Sequence, residues 1–312
     1  MRHAFWPSSM VQVGLLVAAC VATAQDSAVR QRAVAVLRVG LSGTGADAFW
    51  PAMHAAEGLT LAGFPAEVRA ALEPRLAAED DPRHRCGLAR ELIRAGDRDR
   101  VAILAGILAG DDARGHVHAA ESLFKVGEVG DAAALQRAAS QQDNTTLRLM
   151  AAAALARSGD AAGLEIIRAA LRGEDPDGIM LAGWILGQIG DATDVEPLRS
   201  RLDDAATPLA RAYLEHALAM RGDAAGLEAL MRNLAAADDV IRAAAANAAG
   251  EARAAACRPR LVQLLDDPAL DVRIRAAHAI LILDQADGPP RASPGPEKPR
   301  SDQPGTTRPD PG

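Results

Sequence analysis

Apolar and small residues fall three and four apart along most of this chain, and a longer, regular interval punctuates that helical spacing. In residues 116–131, HVHAAESLFKVGEVGD, two alanines precede Leu123, and Gly127 follows four residues later. The same Leu-x-x-x-Gly element returns as Leu59/Gly63, Leu92/Gly96, Leu155/Gly159, Leu186/Gly190 and Leu218/Gly222, at intervals of 31 to 33 residues. Apolar positions at i, i+3 and i+4 predict amphipathic helices, and a glycine just past the last of them predicts a left-handed C-terminal turn. No stretch alternates apolar and polar residues at the period of a strand. A fixed period of this length predicts a stack of one small unit, because a single unit cannot bury its apolar face alone.

Each unit reads as a helix pair. The first pair is predicted over Ser27–Val39 and Phe49–Ala62. Second helices often begin at an acid or hydroxyl followed by proline, as at Asp81-Pro82, Asp175-Pro176, Thr207-Pro208 and Asp267-Pro268. That is an N-cap before the one helical position that tolerates proline. An acid after the glycine, as in Gly96-Asp97, Gly159-Asp160, Gly190-Asp191 and Gly222-Asp223, can cap the next helix. The last two units are degenerate, Ala249 with Arg253 and Ile280 with Asp284, as expected of a terminal capping unit. Eight units, ending near residues 63, 96, 127, 159, 190, 222, 253 and 284, fill residues 25–287. The expected fold is therefore all-α, a right-handed solenoid of about eight stacked helix pairs.

The ends read differently. Residues 1–24 carry a weakly basic start (Arg2, His3), an apolar run over Met10–Ala22 and the small-residue site Ala22-Thr23-Ala24, the pattern of a cleaved export signal. Val17-Ala18-Ala19-Cys20 also fits a lipobox, which would leave Cys20 lipidated and the protein held at a membrane. Either outcome places the protein outside the cytoplasm, periplasmic, secreted or lipid-anchored. Residues 288–312, rich in proline and without apolar period, read as a disordered tail.

Composition narrows the function. Apolar residues make up 49% of the chain but aromatics only 3%, so alanine supplies most of the packing surface. A net charge of −7 argues against nucleic acid as a partner. Arginine outnumbers lysine 32 to 2. Cys86 and Cys257 fall in the second and seventh units, too far apart in a stack to form a disulfide, and are expected to be buried.

The pattern V/I-R-x-x-A-A-x-A-L, carried best by Ile241–Ala249 and Val272–Ile280, resembles HEAT repeats of the short, phycobilisome-lyase type. The resemblance spans roughly residues 28–285 and implies an exported bacterial scaffold, since the family is mostly binding surfaces with a few enzymes among them. Ankyrin and tetratricopeptide repeats fit less well, lacking here the Thr-Pro-Leu-His turn and the aromatic positions respectively. The family also includes a di-iron hydroxylase with adjacent His-Glu ligand pairs, and this sequence contains no His-Glu dipeptide.

In such stacks second helices line the concave side. Positions two and five before the repeat leucine share the face opposite the core. They read His54/Glu57, Gly87/Arg90, His118/Glu121, Met150/Ala153, Leu181/Trp184, Tyr213/His216, Ala244/Asn247 and Arg275/His278. The candidate binding stripe is therefore His54, Glu57, Arg90, His118, Glu121 and Trp184, continued by Tyr213, His216, Asn247, Arg275 and His278. His54/Glu57 and His118/Glu121 could each offer a metal two ligands, but a linear stack would hold those units about 20 Å apart, beyond sharing. The expected reading is a polar groove in which His and Glu bond each other and Arg90 bridges the two carboxylates. Trp184 and Tyr213 can be read as an aromatic anchor for a partner or as fillers between repeats.

No nucleophile, phosphate loop or metal set emerges, and the acid pairs before second helices, such as Asp111-Asp112 and Asp238-Asp239, read as caps. The expectation is a non-catalytic scaffold, without cofactor, that holds a protein partner on its concave face. The alternative is a lyase or metal-dependent enzyme working on the His/Glu stripe.

Overall fold

The computed structural model describes residues 8–286, and side chains from residue 25. The tail at 288–312 lies outside the described residues, as do the side chains of the leader, including Cys20. Among the described residues there are sixteen α-helices and no strand, so the protein is an all-α solenoid. Eight outer helices alternate with eight inner ones. The outer set is α1 (Ser8–Leu41), α3 (Pro65–Ala78), α5 (Val101–Ala109), α7 (Ala132–Ala139), α9 (Ala161–Arg172), α11 (Val195–Ser200), α13 (Ala224–Asn233) and α15 (Arg258–Leu264). The inner set is α2 (Phe49–Leu61), α4 (Pro82–Arg94), α6 (His116–Val126), α8 (Thr145–Arg157), α10 (Pro176–Ile189), α12 (Pro208–Met220), α14 (Asp239–Glu251) and α16 (Leu270–Ala286). The first outer helix begins at Ser8, well before the Ser27 expected from its amphipathic stretch.

Local signals explain most helix ends. Asp81, Asp175 and Thr207 cap α4, α10 and α12, each accepting a backbone N–H ahead of proline. Asp267 accepts from the Ala269 amide, but α16 starts only at Leu270. Five of the repeat glycines, at 63, 96, 127, 159 and 222, turn with φ between 72° and 103°. Arg253 makes the same turn without glycine, at φ 50°. Gly190 departs from expectation, because its φ of −70° is extended rather than left-handed. Glycine is required there for space: a Cβ would lie 2.5 Å from the Leu186 carbonyl and 2.7 Å from Asp194. Asp194 is buried and turns back to accept from the Asp191 amide, closing a capping box with Asp191.

Two reversals per unit leave all inner helices parallel. Each packs on the next from α2 to α16, and α16 then packs on α2. The stack is thus a closed ring. Outer α1 sits against α16 and α2 just as α9 sits against α8 and α10. The terminal units share one core, in which Leu37 and Leu59 join Ile274 and Leu281. The last unit is therefore an ordinary member of the ring, not the capping end its degenerate sequence suggested. Closure removes both ends of the stack, so no apolar terminal face needs a polar cap. Ion pairs add to the join, with Arg32 on Asp266 at 2.9 Å and His54 on Asp271 at 2.7 Å. Gln285 also donates to the Leu61 carbonyl.

Small residues let the inner helices come close enough to close. A Cβ on Gly187 would stand 2.9 Å from the Ala217 Cα, and one on Gly250 the same distance from the Ala279 Cα. Arginine fixes many steps from outside. Arg38 holds Glu67, Arg168 holds Asp191 and Asp194, Arg199 holds Asp223, and Arg242 holds Asp267. Others donate to carbonyls at neighbouring helix ends, as Arg157 does to Phe124 and Arg221 to Gly190. A planar fork of donors suits both tasks better than a lysine ammonium. Among the described residues no helix is long and apolar enough to cross a membrane.

Candidate functional site

Closing the ring converts the concave face into a central cavity of about 710 Å³. Its wall has two halves. Helices α8, α10 and α12 contribute Met150, Met180, Leu181, Trp184, Tyr213 and Met220. The rest of the ring, together with Arg157 at the end of α8, contributes ten charged side chains, five of each sign: Glu57, Arg90, Arg94, Glu121 and Lys125, then Arg157, Asp239, Glu251, Asp271 and Arg275.

Most of the stripe expected from the sequence lines this space, including His54, Glu57, Arg90, His118, Glu121, Trp184, Tyr213, Asn247 and Arg275. His216 reaches the lining but is buried, with Asn233 at 3.2 Å from its Nε2. His278 is buried and does not line the cavity. The cavity wall extends one turn beyond the expected stripe. Two residues past the repeat leucine lies a third rung, Arg94, Lys125, Arg157, Gln188, Met220 and Glu251, four residues beyond the second. Extending the i,i+4 ladder past the leucine would have found it.

The bonding differs from the expected one. His54 Nδ1 is bonded to Asp271 across the ring closure, not to Glu57. Glu57 pairs with Arg94 at 2.9 Å. Arg90 is buried against Glu91, its own neighbour, so it does not bridge Glu57 and Glu121. Glu121 pairs with Lys125 at 2.6 Å, and His118 at 3.7 Å is too distant to bond it. Units one and three also meet, although a linear stack would separate them. Trp50 crosses α4 to stack on His118, with ring centroids 5.0 Å apart. Gly87 makes that crossing possible, since a Cβ there would come within 3.2 Å of both Trp50 and Phe49.

Enclosure tunes the charges. Burial alone would raise the Glu57 carboxyl, yet Arg94, helped by His278, Arg275 and Arg90, holds it far below the usual carboxylate range. Burial likewise opposes Glu121, and Lys125 outweighs it. His54 is pushed down to about 4 by burial and by Arg275, against Asp271. Desolvation by the surrounding wall raises the Glu251 carboxyl, against a bond from Asn247 and with help from Glu57. Burial lowers the Lys125 amine although Glu121 supports its charge. Among the described residues no three His, Cys, Asp or Glu side chains converge as a metal site would require. Cys86 and Cys257 are free and buried, and burial pushes the Cys86 thiol up to about 12.

Residues 132–219 match the family model of HEAT repeats. No curated protein matches the sequence. Among solved structures, human deoxyhypusine hydroxylase in complex with glycerol aligns over 83% of this chain and 98% of its own, at 18% identity and a TM-score of 0.39. Residues 132–219 thus resemble HEAT repeats, and a helix pair of the same kind repeats on either side of them.

Proposed function

We propose that this protein is a non-catalytic binding ring whose site is its interior. One observation carries the reading: the inner helices close on themselves around about 710 Å³. An open concave face would accept a folded protein partner, as the unrolled repeat led us to expect. A ring-walled cavity of this volume is the size of a small-molecule pocket, and its mixed aromatic and polar lining is typical of one. A protein partner would then dock on the outer helices or at a mouth of the ring. The leader pattern supports an extracytoplasmic location for this activity. The catalytic alternative draws no support from the cavity, where His54 and Glu57 are each tied to another side chain, or from Cys86 and Cys257, whose thiols are buried.

Trp50 and Trp184 line the cavity, so intrinsic fluorescence reports on its contents. Purified protein titrated with a panel of small metabolites should show a change in emission and a higher melting temperature for at least one chemical class. Replacing Ala244, which faces the cavity, by phenylalanine should abolish both responses. Responses that survive the filled cavity, or none in the unaltered chain, would overturn the reading.

A further inference from the structure

The charges of the cavity do not all find partners, and the unmatched ones sit together. Inner helices run parallel, so their last residues share one mouth of the ring. At that mouth α4 ends on Arg94, α8 on Arg157 and α14 on Glu251, with Lys125 one residue from the end of α6. Arg94 has Glu57 and Glu91, and Lys125 has Glu121. Arg157 has neither. Four residues back, where Lys125 finds Glu121, α8 offers the buried Ala153. Its guanidinium donates to the Phe124 carbonyl and lies over the Phe124 ring at 4.6 Å, with no carboxylate within 4 Å among the described residues. Glu251 is the one acid on this rung, and no basic group lies within 4 Å of it among the described residues. Asp239 is also unpaired, but it opens α14 at the opposite mouth, where helix amides complement it.

One cation and one anion, neither with an opposite charge within 4 Å among the described residues, thus face a cavity whose adjoining wall is Met150, Met180, Trp184 and Tyr213. Resting on the reading of the cavity as a ligand site, we infer that its ligand is an apolar zwitterion, a free amino acid or a short peptide with a large apolar side chain. Its carboxylate would take the free N–H groups of Arg157, its ammonium the Glu251 carboxylate, and its side chain the methionine and aromatic wall. A carboxylate alone would bring a second negative charge up to Glu251, and an amine alone would face Arg157, Arg94 and Lys125. Only a ligand carrying both charges satisfies both side chains, and a charge-assisted bond at each end gives strength as well as orientation. The separation of the two charges decides between the sources, since a peptide spans more than an amino acid.

Calorimetric titration of the full chain tests this with L-phenylalanine, the dipeptide Leu-Phe, 3-phenylpropionate, phenethylamine and N-acetylphenylalanine amide. Phenylalanine or the dipeptide should bind at least tenfold more tightly than each of the three analogues that lack one or both charges. Glu251→Gln should remove the advantage over phenylpropionate, and Arg157→Gln the advantage over phenethylamine. These are ratios within one variant, so a partial loss of fold does not mimic them. Equal affinity for all five probes, or a tighter phenylpropionate, would overturn the assignment. So would silence from all five in a protein whose tryptophan emission answers to another class of ligand, and the cavity reading would then stand without it. Silence towards every small molecule would overturn both.

Discussion

Two joins in the ring can be set side by side: the step from α10 to α12, which the chain makes in sequence, and the closure from α16 to α1 and α2, which it makes through space. Their apolar packing is alike. Leu214 would meet a Cβ on Gly183 at 2.7 Å, and Ile274 would meet one on Gly40 at 2.6 Å. Their polar ties are not alike. The internal step buries Asp194 under Arg168, in a turn that supplies its own backbone donors. The closure has no turn to supply them and relies on side chains reaching across, with Arg32 and Asp266 left 49% and 77% exposed. Shape complementarity is therefore a property of the unit, while the buried polar lock is a property of the connection. The closure also brings together residues more than 200 positions apart, such as Arg32 and Asp266, whereas every other step joins neighbours in sequence. Ordering so long a loop costs entropy that the internal steps do not pay.

Leu214→Ala and Ile274→Ala each delete a fully buried side chain and should each cost about 2–5 kcal/mol in urea denaturation. A much smaller loss for Ile274 would mean that the ring opens in solution.

The pH dependence comes next. His54 at the closure and His216 in α12 titrate at about 4, His216 through burial alone, while an unfolded chain holds them near 6.5. The folded protein thus binds fewer protons, so stability falls as pH drops from about 6.5 to about 4, by up to about 3 kcal/mol for each histidine. His54 answers to Asp271 and Arg275 around it, and Asp271, itself depressed, adds a loss of the same sign at lower pH. His54→Gln and His216→Gln should each flatten the profile of melting temperature against pH by a similar share. A slope unchanged by His54→Gln would separate the closure from the acid sensitivity.

The polar ties should then diverge. Asp194→Ala leaves Arg168 beside a buried gap and should cost about 2–3 kcal/mol, whereas Asp266→Ala, at an exposed pair, should cost less than about 1 kcal/mol. Equal losses would erase the distinction between the two joins. An effect of opposite sign lies in the seventh unit. Arg253→Gly relieves a left-handed non-glycine residue and should stabilise the fold by about 1 kcal/mol, raising the urea midpoint without changing the slope.

The sequence was legible where the signal is local. Leucine spacing, proline caps and glycine turns are each written within a few residues, and they gave the helix pairs and most of the inner face. Ring closure is written nowhere in particular, because it sums a small rotation at every step and succeeds only if eight of them complete a circle. From that one omission follows the error about His54. His54 was matched with Glu57 because Asp271 lies 217 residues away. The contact of Trp50 with His118 crosses a whole helix, and Gly87 is its one local mark in the sequence. Gly190 was misread because a glycine chosen for closeness looks the same in sequence as one chosen for its turn.

The scarcity of lysine has a practical consequence. Of the two lysines, Lys298 lies in the tail beyond the described residues, and Lys125 stands in the cavity wall with its amine lowered by burial. An amine-specific acylating reagent therefore has one side-chain target in the folded ring, and that target is inside the cavity. A single added mass on the peptide holding Lys125 reports that the interior is accessible, and its loss when a compound is present reports that the interior is filled. The ring carries its own occupancy gauge, readable without altering a residue.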